Sequence, residues 1–401
     1  MARTQISKLL FLTFSIGLML FTVASSARAD CPGGFKPAPG APLEMLVLGD
    51  SIMWGQGLKP EQKFTWRIKC WLQEKTNREV RQTVFAHSGA LLAANPTGAQ
   101  PKFKSNDGEV NLPYPSINEE LDRARDFYGP ASANVNLILV DGCINDVDVS
   151  NLLNVTTDPN WLRERINTSC KVGMHNLLQR VTETFPNARV IVPSYYRIVS
   201  DSTADNAFIR ALAKNLNNES LEARRLTDKE MRERLIKLSE LWYRVSTTNL
   251  REAVEVTNAD LAAKNLPPKV SFVEIDFWPE HSFSAADTLL WNFIFGSTNL
   301  SGLRKFIVIL SFGTTAYKPN DEVRESRIRS CNETFKIPKG VKETPAEKRS
   351  RKDRLLICRY ASLGHPNQMG ALIYTEAIKG HLQWIIDKAG WKSSAKDEPL
   401  P

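Results

Sequence analysis

A serine at the end of an apolar run and a histidine just ahead of a helical pattern are the residues best placed to do chemistry. Ser51 follows Leu43-Glu44-Met45-Leu46-Val47-Leu48-Gly49-Asp50 and precedes Ile52-Met53-Trp54-Gly55-Gln56-Gly57. At the end of a buried strand a serine hydroxyl is poised for nucleophilic attack. Gly49 relaxes the turn, and a following helix aims its free N–H groups at the site. The same serine alone would also serve as an ordinary helix N-cap. His365 stands in Ser362-Leu363-Gly364-His365-Pro366-Asn367, ahead of Ala371, Tyr374, Ile378, Leu382 and Ile385 at helical spacing. The positive end of that helix disfavours an imidazolium and keeps the ring neutral, ready to accept a proton. His175, His281 and His381 have no such context and take no role.

Two further strand exits carry small or amide residues. His87-Ser88-Gly89-Ala90 offers the Gly89 N–H to a developing oxyanion, although glycine after a strand is also plain turn chemistry. Asp141-Gly142-Cys143-Ile144-Asn145-Asp146 offers the Asn145 side-chain amide to the same charge, with the turn preference of Asn-Asp as the bland reading.

Positioning these groups requires a sheet. Five β-rich runs, Leu43–Leu48, Val80–Ala86, Asn136–Val140, Arg189–Val192 and Val270–Ile275, alternate with helical patterns such as Trp161–Phe185. The first, third and fourth are nearly continuous apolar stretches, which suits strands buried on both faces. The alternation predicts a doubly wound α/β sheet with helices on both faces and a ligand beyond the carboxyl ends of the strands. Residues 201–266 exceed the minimal plan and read as strongly helical, with a capping box at Thr227 and Glu230 ahead of Met231, Leu235, Leu238, Trp242 and Val245. A packed amphipathic insertion is preferred there over a lid. Residues 279–355 are less regular, and their basic run, Lys348, Arg349, Arg351, Lys352 and Arg354, reads as a solvated loop.

The four pieces, in this order, resemble the SGNH/GDSL hydrolase family. Gly49-Asp50-Ser51-Ile52 with Gly55 and Gly57 is similar to its first block, Gly89 to the second-block glycine, Asn145 to the third-block asparagine and His365 to the last-block histidine. The resemblance implies a flavodoxin-like three-layer α/β/α fold with five parallel strands. Residues 30–401 then form one domain with insertions at about 201–266 and 279–355. It also implies ester hydrolysis through an acyl-enzyme, with Ser51 as nucleophile, His365 as base, and an oxyanion hole from the Ser51 N–H, the Gly89 N–H and Asn145. No metal or organic cofactor is called for. Two positions depart from the family pattern. Cys143 stands at the third-block glycine, and Ser362 stands where an aspartate would orient the histidine. Ser362, a backbone carbonyl, or a carboxylate such as Asp276 or Asp353 could do that orienting, and Ser362→Asp is expected to retain or raise activity. A catalytically silent glycan- or lipid-binding relative and an acyltransferase stay open as alternatives. The substrate class is an ester, free or polymer-linked.

The remaining features set the compartment. Arg3 and Lys8 precede an apolar run from Leu9 to Ala24 and an Ala27-Arg28-Ala29 site, the layout of a signal peptide over residues 1–29. That predicts a secreted or periplasmic protein with no membrane span in the mature chain. Asp30 before Cys31 speaks against lipid attachment there. Six cysteines, at 31, 70, 143, 170, 331 and 358, predict disulfides, with Cys331–Cys358 the favoured pair. Sequons occur at Asn154, Asn167, Asn218, Asn299 and Asn332. The net charge of +8 falls to +5 without the three basic residues of the leader, and the basic run has no interleaved aromatics. Nucleic acid is therefore not an expected partner.

Overall fold

The computed structural model describes residues 31–32, 34, 38, 40–92, 108–110, 116–205, 220–295, 317–337 and 339–389. The expected leader and the sequons at Asn218 and Asn299 lie outside them.

The five β-rich runs become one parallel sheet: β1 (Leu43–Leu48), β2 (Val80–Val84), β3 (Val135–Val140), β4 (Arg189–Pro193) and β5 (Val270–Val273). Their order is β2-β1-β3-β4-β5. β1 pairs with β2 from Leu43↔Val80 and with β3 up to Leu48↔Val140. This is the flavodoxin-like order, whose switch point lies between β1 and β3. Both strands are buried to their ends because both faces are covered, which explains their continuous apolar sequence.

Eleven helices are named in chain order: α1 (Ser51–Trp54), α2 (Phe64–Thr76), α3 (Ile117–Tyr128), α4 (Ile144–Val147), α5 (Val149–Leu152), α6 (Pro159–Ile166), α7 (Met174–Thr184), α8 (Asp228–Ala263), α9 (Arg324–Thr334), α10 (Pro345–Arg359) and α11 (Gln368–Ala389). α2 packs with α11, and α7 with α3 and α8, giving a helical layer on either side of the sheet. The helical run at Trp161–Phe185 is interrupted: a π-helical segment, Asn167–Gly173, joins α6 to α7 and carries Cys170. α8 begins with the expected capping box, Thr227 N–H donating to Glu230 Oε2 at 2.7 Å and Glu230 N–H to Thr227 Oγ1 at 3.2 Å. Its buried residues recur from Met231 to Leu261, so most of this insertion is packed on the core.

The described parts of 279–355 carry more regular structure than their sequence implies; residues 296–316 lie outside the described residues. β6 (Phe293–Phe295) pairs antiparallel with β7 (Tyr317–Pro319), and α9 and α10 follow. The basic run is therefore not a loop. It lies on α10, where a Thr344–Glu347 capping box and Pro345 in the first turn start a helix. The disulfide Cys331–Cys358 ties α9 to α10, and Cys31–Cys70 and Cys143–Cys170 complete the set. Cys31 is thus occupied in a disulfide. None of the described helices is long and apolar enough to cross a membrane.

Candidate active site

Ser51 opens α1 directly after β1, and a ring of buried carboxyls holds its turn. Gly49 N–H donates to Glu120 Oε2 at 2.8 Å, and Asp50 N–H donates to Asp141 Oδ1 at 2.8 Å. Asp50 caps α1 by accepting from Ile52 N–H at 2.9 Å and accepts from the Tyr195 hydroxyl at 2.6 Å. Gly49 is required here: its φ is +135°, and a Cβ would lie 2.0 Å from Asp141 Oδ1. Burial raises the Asp50 carboxyl to about 6 against the hydrogen bonds from Tyr195 and Ile52. Burial also raises Asp141 and Glu120 well above the usual carboxylate range. Holding a proton spares such groups the cost of an isolated buried charge.

His365 arrives from the other end of the chain, 314 residues away, and its Nε2 lies 2.6 Å from Ser51 Oγ. Its Nδ1 lies 3.3 Å from the Leu363 carbonyl. The tautomer that satisfies both contacts donates from Nδ1 to Leu363 and accepts the Ser51 hydroxyl proton at Nε2. Burial lowers the ring's pKa to about 4, reinforced by the Arg327 charge and opposed by the Leu363 and Ser362 carbonyls and by Glu109. The ring is thus neutral at ordinary pH, with burial and not the helix end as the leading cause.

The orienting group is not the Ser362 hydroxyl. Ser362 is fully buried, and its hydroxyl donates to Asp321 Oδ2 at 2.7 Å. Asp321 in turn accepts two bonds from the Arg327 guanidinium, at 2.8 and 2.6 Å, in an ion pair with no exposed side-chain surface. No hydrogen bond joins this hydroxyl to the His365 ring, whose Nδ1 contacts the Leu363 carbonyl instead. Asp276 and Asp353 are exposed residues and do not reach the ring. The rest of the histidine turn is fastened by backbone. Trp291 N–H donates to the His365 carbonyl at 2.7 Å, Gly364 N–H to the Trp291 carbonyl at 3.0 Å, and the Tyr196 hydroxyl to the Gly364 carbonyl at 2.7 Å. Gly57, at φ +93°, lets the Trp291 indole and Ser362 approach the nucleophile loop; a Cβ there would sit 2.5 Å from the indole nitrogen.

The two remaining strand exits meet the nucleophile turn. His87 N–H donates to the Gly49 carbonyl at 2.9 Å, and Asn145 Nδ2 donates to the Ala90 carbonyl at 3.0 Å, so Gly89 lies in a loop tied to both neighbours. The Ser51 and Gly89 N–H groups have no acceptor among the described residues. Asn145 keeps a second amide hydrogen unspent. Ser51, Asn145 and His365 line one cavity of about 310 Å³, whereas Gly89 is not among its lining residues. At the third-block glycine position Cys143 itself adopts φ +108°, fully buried and bonded to Cys170. A side chain in that region is strained and persists only when its surroundings hold it. Here a disulfide to the π-helical segment does so.

Sequence reasoning gave no role to Asp321, Arg327, Trp291, Tyr195, Asp141 or Glu120. Asp141 ends β3 in plain view. The others lie in stretches without a local motif, and only the fold reveals their partners.

The chain matches no family model and no curated protein. Among solved structures it is similar to a phospholipase A1 from Streptomyces albidoflavus NA297, at 14% identity over 65% of this chain and 90% of that one, with a TM-score of 0.36. It is also similar to an extracellular lipase from Streptomyces rimosus, at 13% identity over 64% and 89%, TM-score 0.34. A family 3 carbohydrate esterase from Clostridium thermocellum gives 13% identity over 62% and 86%, TM-score 0.30. The strand order gives this protein a flavodoxin-like α/β/α fold, and Ser51, Asn145 and His365 meet at the end of the sheet where β1 and β3 exit.

Proposed function

We propose that this protein is an exported serine hydrolase of ester bonds, with residues 30–401 as the mature chain and a single domain. The observation that carries the reading is the 2.6 Å contact between Ser51 Oγ and His365 Nε2 in the wall of a cavity. In the first step His365 accepts the Ser51 proton as Oγ bonds to the ester carbonyl carbon. The resulting oxyanion is held by the Ser51 N–H, the Gly89 N–H and the Asn145 amide. His365 passes the proton to the leaving alcohol, and the C–O bond of the ester breaks. Water then gives a proton to His365 and bonds to the acyl carbon; His365 returns that proton to Ser51 Oγ as the acyl–Oγ bond breaks and the acid leaves. The Leu363 carbonyl supports the imidazolium that forms in each half-reaction. The three disulfides suit an oxidising compartment.

A fluorophosphonate probe tests the reading because it phosphorylates only an activated serine. Labelling of the wild-type protein at Ser51, mapped by mass spectrometry and lost in Ser51→Ala, is the expected result. An unlabelled, folded wild-type protein would leave the silent-relative reading in its place.

A further inference from the structure

The cavity beside Ser51 has a chemical character that the catalytic groups do not explain. Its walls come from three places: Val149 and Leu153 around α5, Ile198 and Val199 after β4, and Met231 and Leu235 in the first two turns of α8. Each is an aliphatic or thioether side chain with no hydrogen bond to offer. The polar lining is the Ser51, Asn145 and His365 group, Tyr196, whose hydroxyl is spent on the Gly364 carbonyl, and a patch at Thr203, Asp205, Asp228 and Arg232. Within that patch the Arg232 guanidinium already donates to the carbonyls of Asp201, at 2.6 Å, and Thr203, at 2.9 Å.

A sugar ring on these walls would bury hydroxyls without partners, which is unfavourable for each one. A methyl group alone would leave most of the space unfilled. An alkyl chain satisfies both conditions. The volume of about 310 Å³ is at the small end for ligand pockets. At about 30 Å³ per water-sized group it holds a chain of roughly six to ten carbons.

We infer that the substrate is an ester bearing a medium-length apolar chain, seated between α5, the β4 exit and the start of α8. The inference rests on the hydrolase reading above and narrows it. α8 then does more than pack on the core, because its N-terminal turns form one wall of the binding site. This is the use of the 201–266 insertion that its periodicity alone did not disclose.

The chain can belong to the acid or to the alcohol, and kinetics separates the two. kcat/KM is measured for 4-nitrophenyl acetate, butyrate, octanoate and palmitate, and for ethyl, butyl and octyl acetate, all below their aggregation concentrations. A methylene that enters the cavity is expected to raise kcat/KM roughly fourfold. The arm whose chain occupies the cavity should therefore rise by at least about 100-fold from the shortest member to the eight-carbon one. Palmitate should gain nothing beyond octanoate. Leu235→Trp and Val199→Phe, which narrow the cavity from different walls, should each move the optimum toward four carbons. Binding to Ser51→Ala gives a readout independent of turnover: the eight-carbon member of the arm that rises is expected to bind at least about 50-fold tighter than the shortest member of that arm. Flat profiles in both arms on a protein that the fluorophosphonate labels would overturn the inference and leave the hydrolase reading standing. Equal affinity of Ser51→Ala for the long and short members of both arms would also overturn it. Tight octanoate binding without labelling or turnover would keep the chain site and sink the hydrolase reading instead.

Discussion

The two halves of the site are built by opposite means. The nucleophile turn follows β1, an inner strand of the sheet, and is held by carboxyls that burial pushes toward their protonated form. The histidine turn is held from outside the sheet by a fully buried ion pair, Asp321 and Arg327, reached through Ser362. Both solve the same problem, fixing a short loop to within hydrogen-bond tolerance. A protonated carboxyl can donate as well as accept and carries no charge to compensate. An ion pair gives stronger bonds but depends on both members, because removing one leaves a buried charge alone. The nucleophile turn should therefore tolerate polar change around it, and the histidine turn should not.

The sharpest break of that asymmetry is Asp321→Ala. It leaves the Arg327 guanidinium, which has no exposed surface, without its carboxylate. The expected loss of stability is about 3–5 kcal/mol, read by urea denaturation of the oxidised protein. A variant within 1 kcal/mol of wild type, on the scale of exposed pairs, would show that the pair is not what fastens this turn. The same network reverses an expectation raised by the family pattern. Ser362→Asp would set a second carboxylate against Asp321 where the present hydroxyl donates at 2.7 Å. Two carboxylates so close cannot both ionise. The substitution should lower stability and activity instead of restoring a triad.

On the other half, Asn145→Ala removes an oxyanion donor while leaving the carboxyl ring intact. kcat should fall by roughly 100- to 1000-fold with KM little changed. A change in KM alone would make Asn145 a turn or binding residue, as its bond to the Ala90 carbonyl would then explain.

What the sequence disclosed follows the same division. The candidates Ser51, Asn145 and His365 could be picked out because each sits near where a strand stops or a helix starts, and those boundaries are written in local apolar runs; Gly89 lies in the loop beyond β2, which ends at Val84. β1 and β5 begin at the expected residues, and the expected α8 cap is present. Asp321 was not legible. Nothing within a few residues of it marks a partner for Ser362, 41 positions on, and the pairing exists only because α9 folds Arg327 back onto it. The positive φ of Cys143 was equally hidden, since only glycine advertises that conformation in sequence.

The two halves should also respond to pH with opposite signs. Asp50 is raised from 3.8 to about 6 by burial. Its contribution to stability is complete below the lower value and is lost as pH rises through the higher one. His365 is lowered from 6.5 to about 4, also by burial. Its contribution is complete above the ordinary value and is lost progressively as pH falls from 6.5 through 4. Asp50→Asn should therefore flatten any loss of thermal stability between pH 4 and 6 on the rising-pH side. The acid limb of kcat, which needs neutral His365, should fall near pH 4. A limb at 6.5 would mean a ring open to water, and an unchanged pH slope in Asp50→Asn would mean that Asp50 is ionised throughout.

Ser362→Ala should have the smallest effect. The hydroxyl is fully buried and makes one bond, to Asp321. Its loss leaves no charge uncompensated, because both Arg327 bonds to Asp321 remain. What goes is one hydrogen bond to a charged acceptor, worth about 1.5–3 kcal/mol of stability. The ring contacts of His365, to the Leu363 carbonyl and Ser51 Oγ, do not involve this hydroxyl. Activity should therefore fall only as far as the 362–365 turn loosens, roughly tenfold in kcat, equivalent to about 1.4 kcal/mol at the transition state. Measuring kcat beside the urea midpoint separates the two roles. A small shift in both is the expected pattern of an anchor. A kcat loss above 100-fold with an unmoved midpoint would mean that the hydroxyl acts on the ring itself. The histidine turn would then hold its base by a neutral hydrogen bond, and the contrast with the nucleophile turn would disappear.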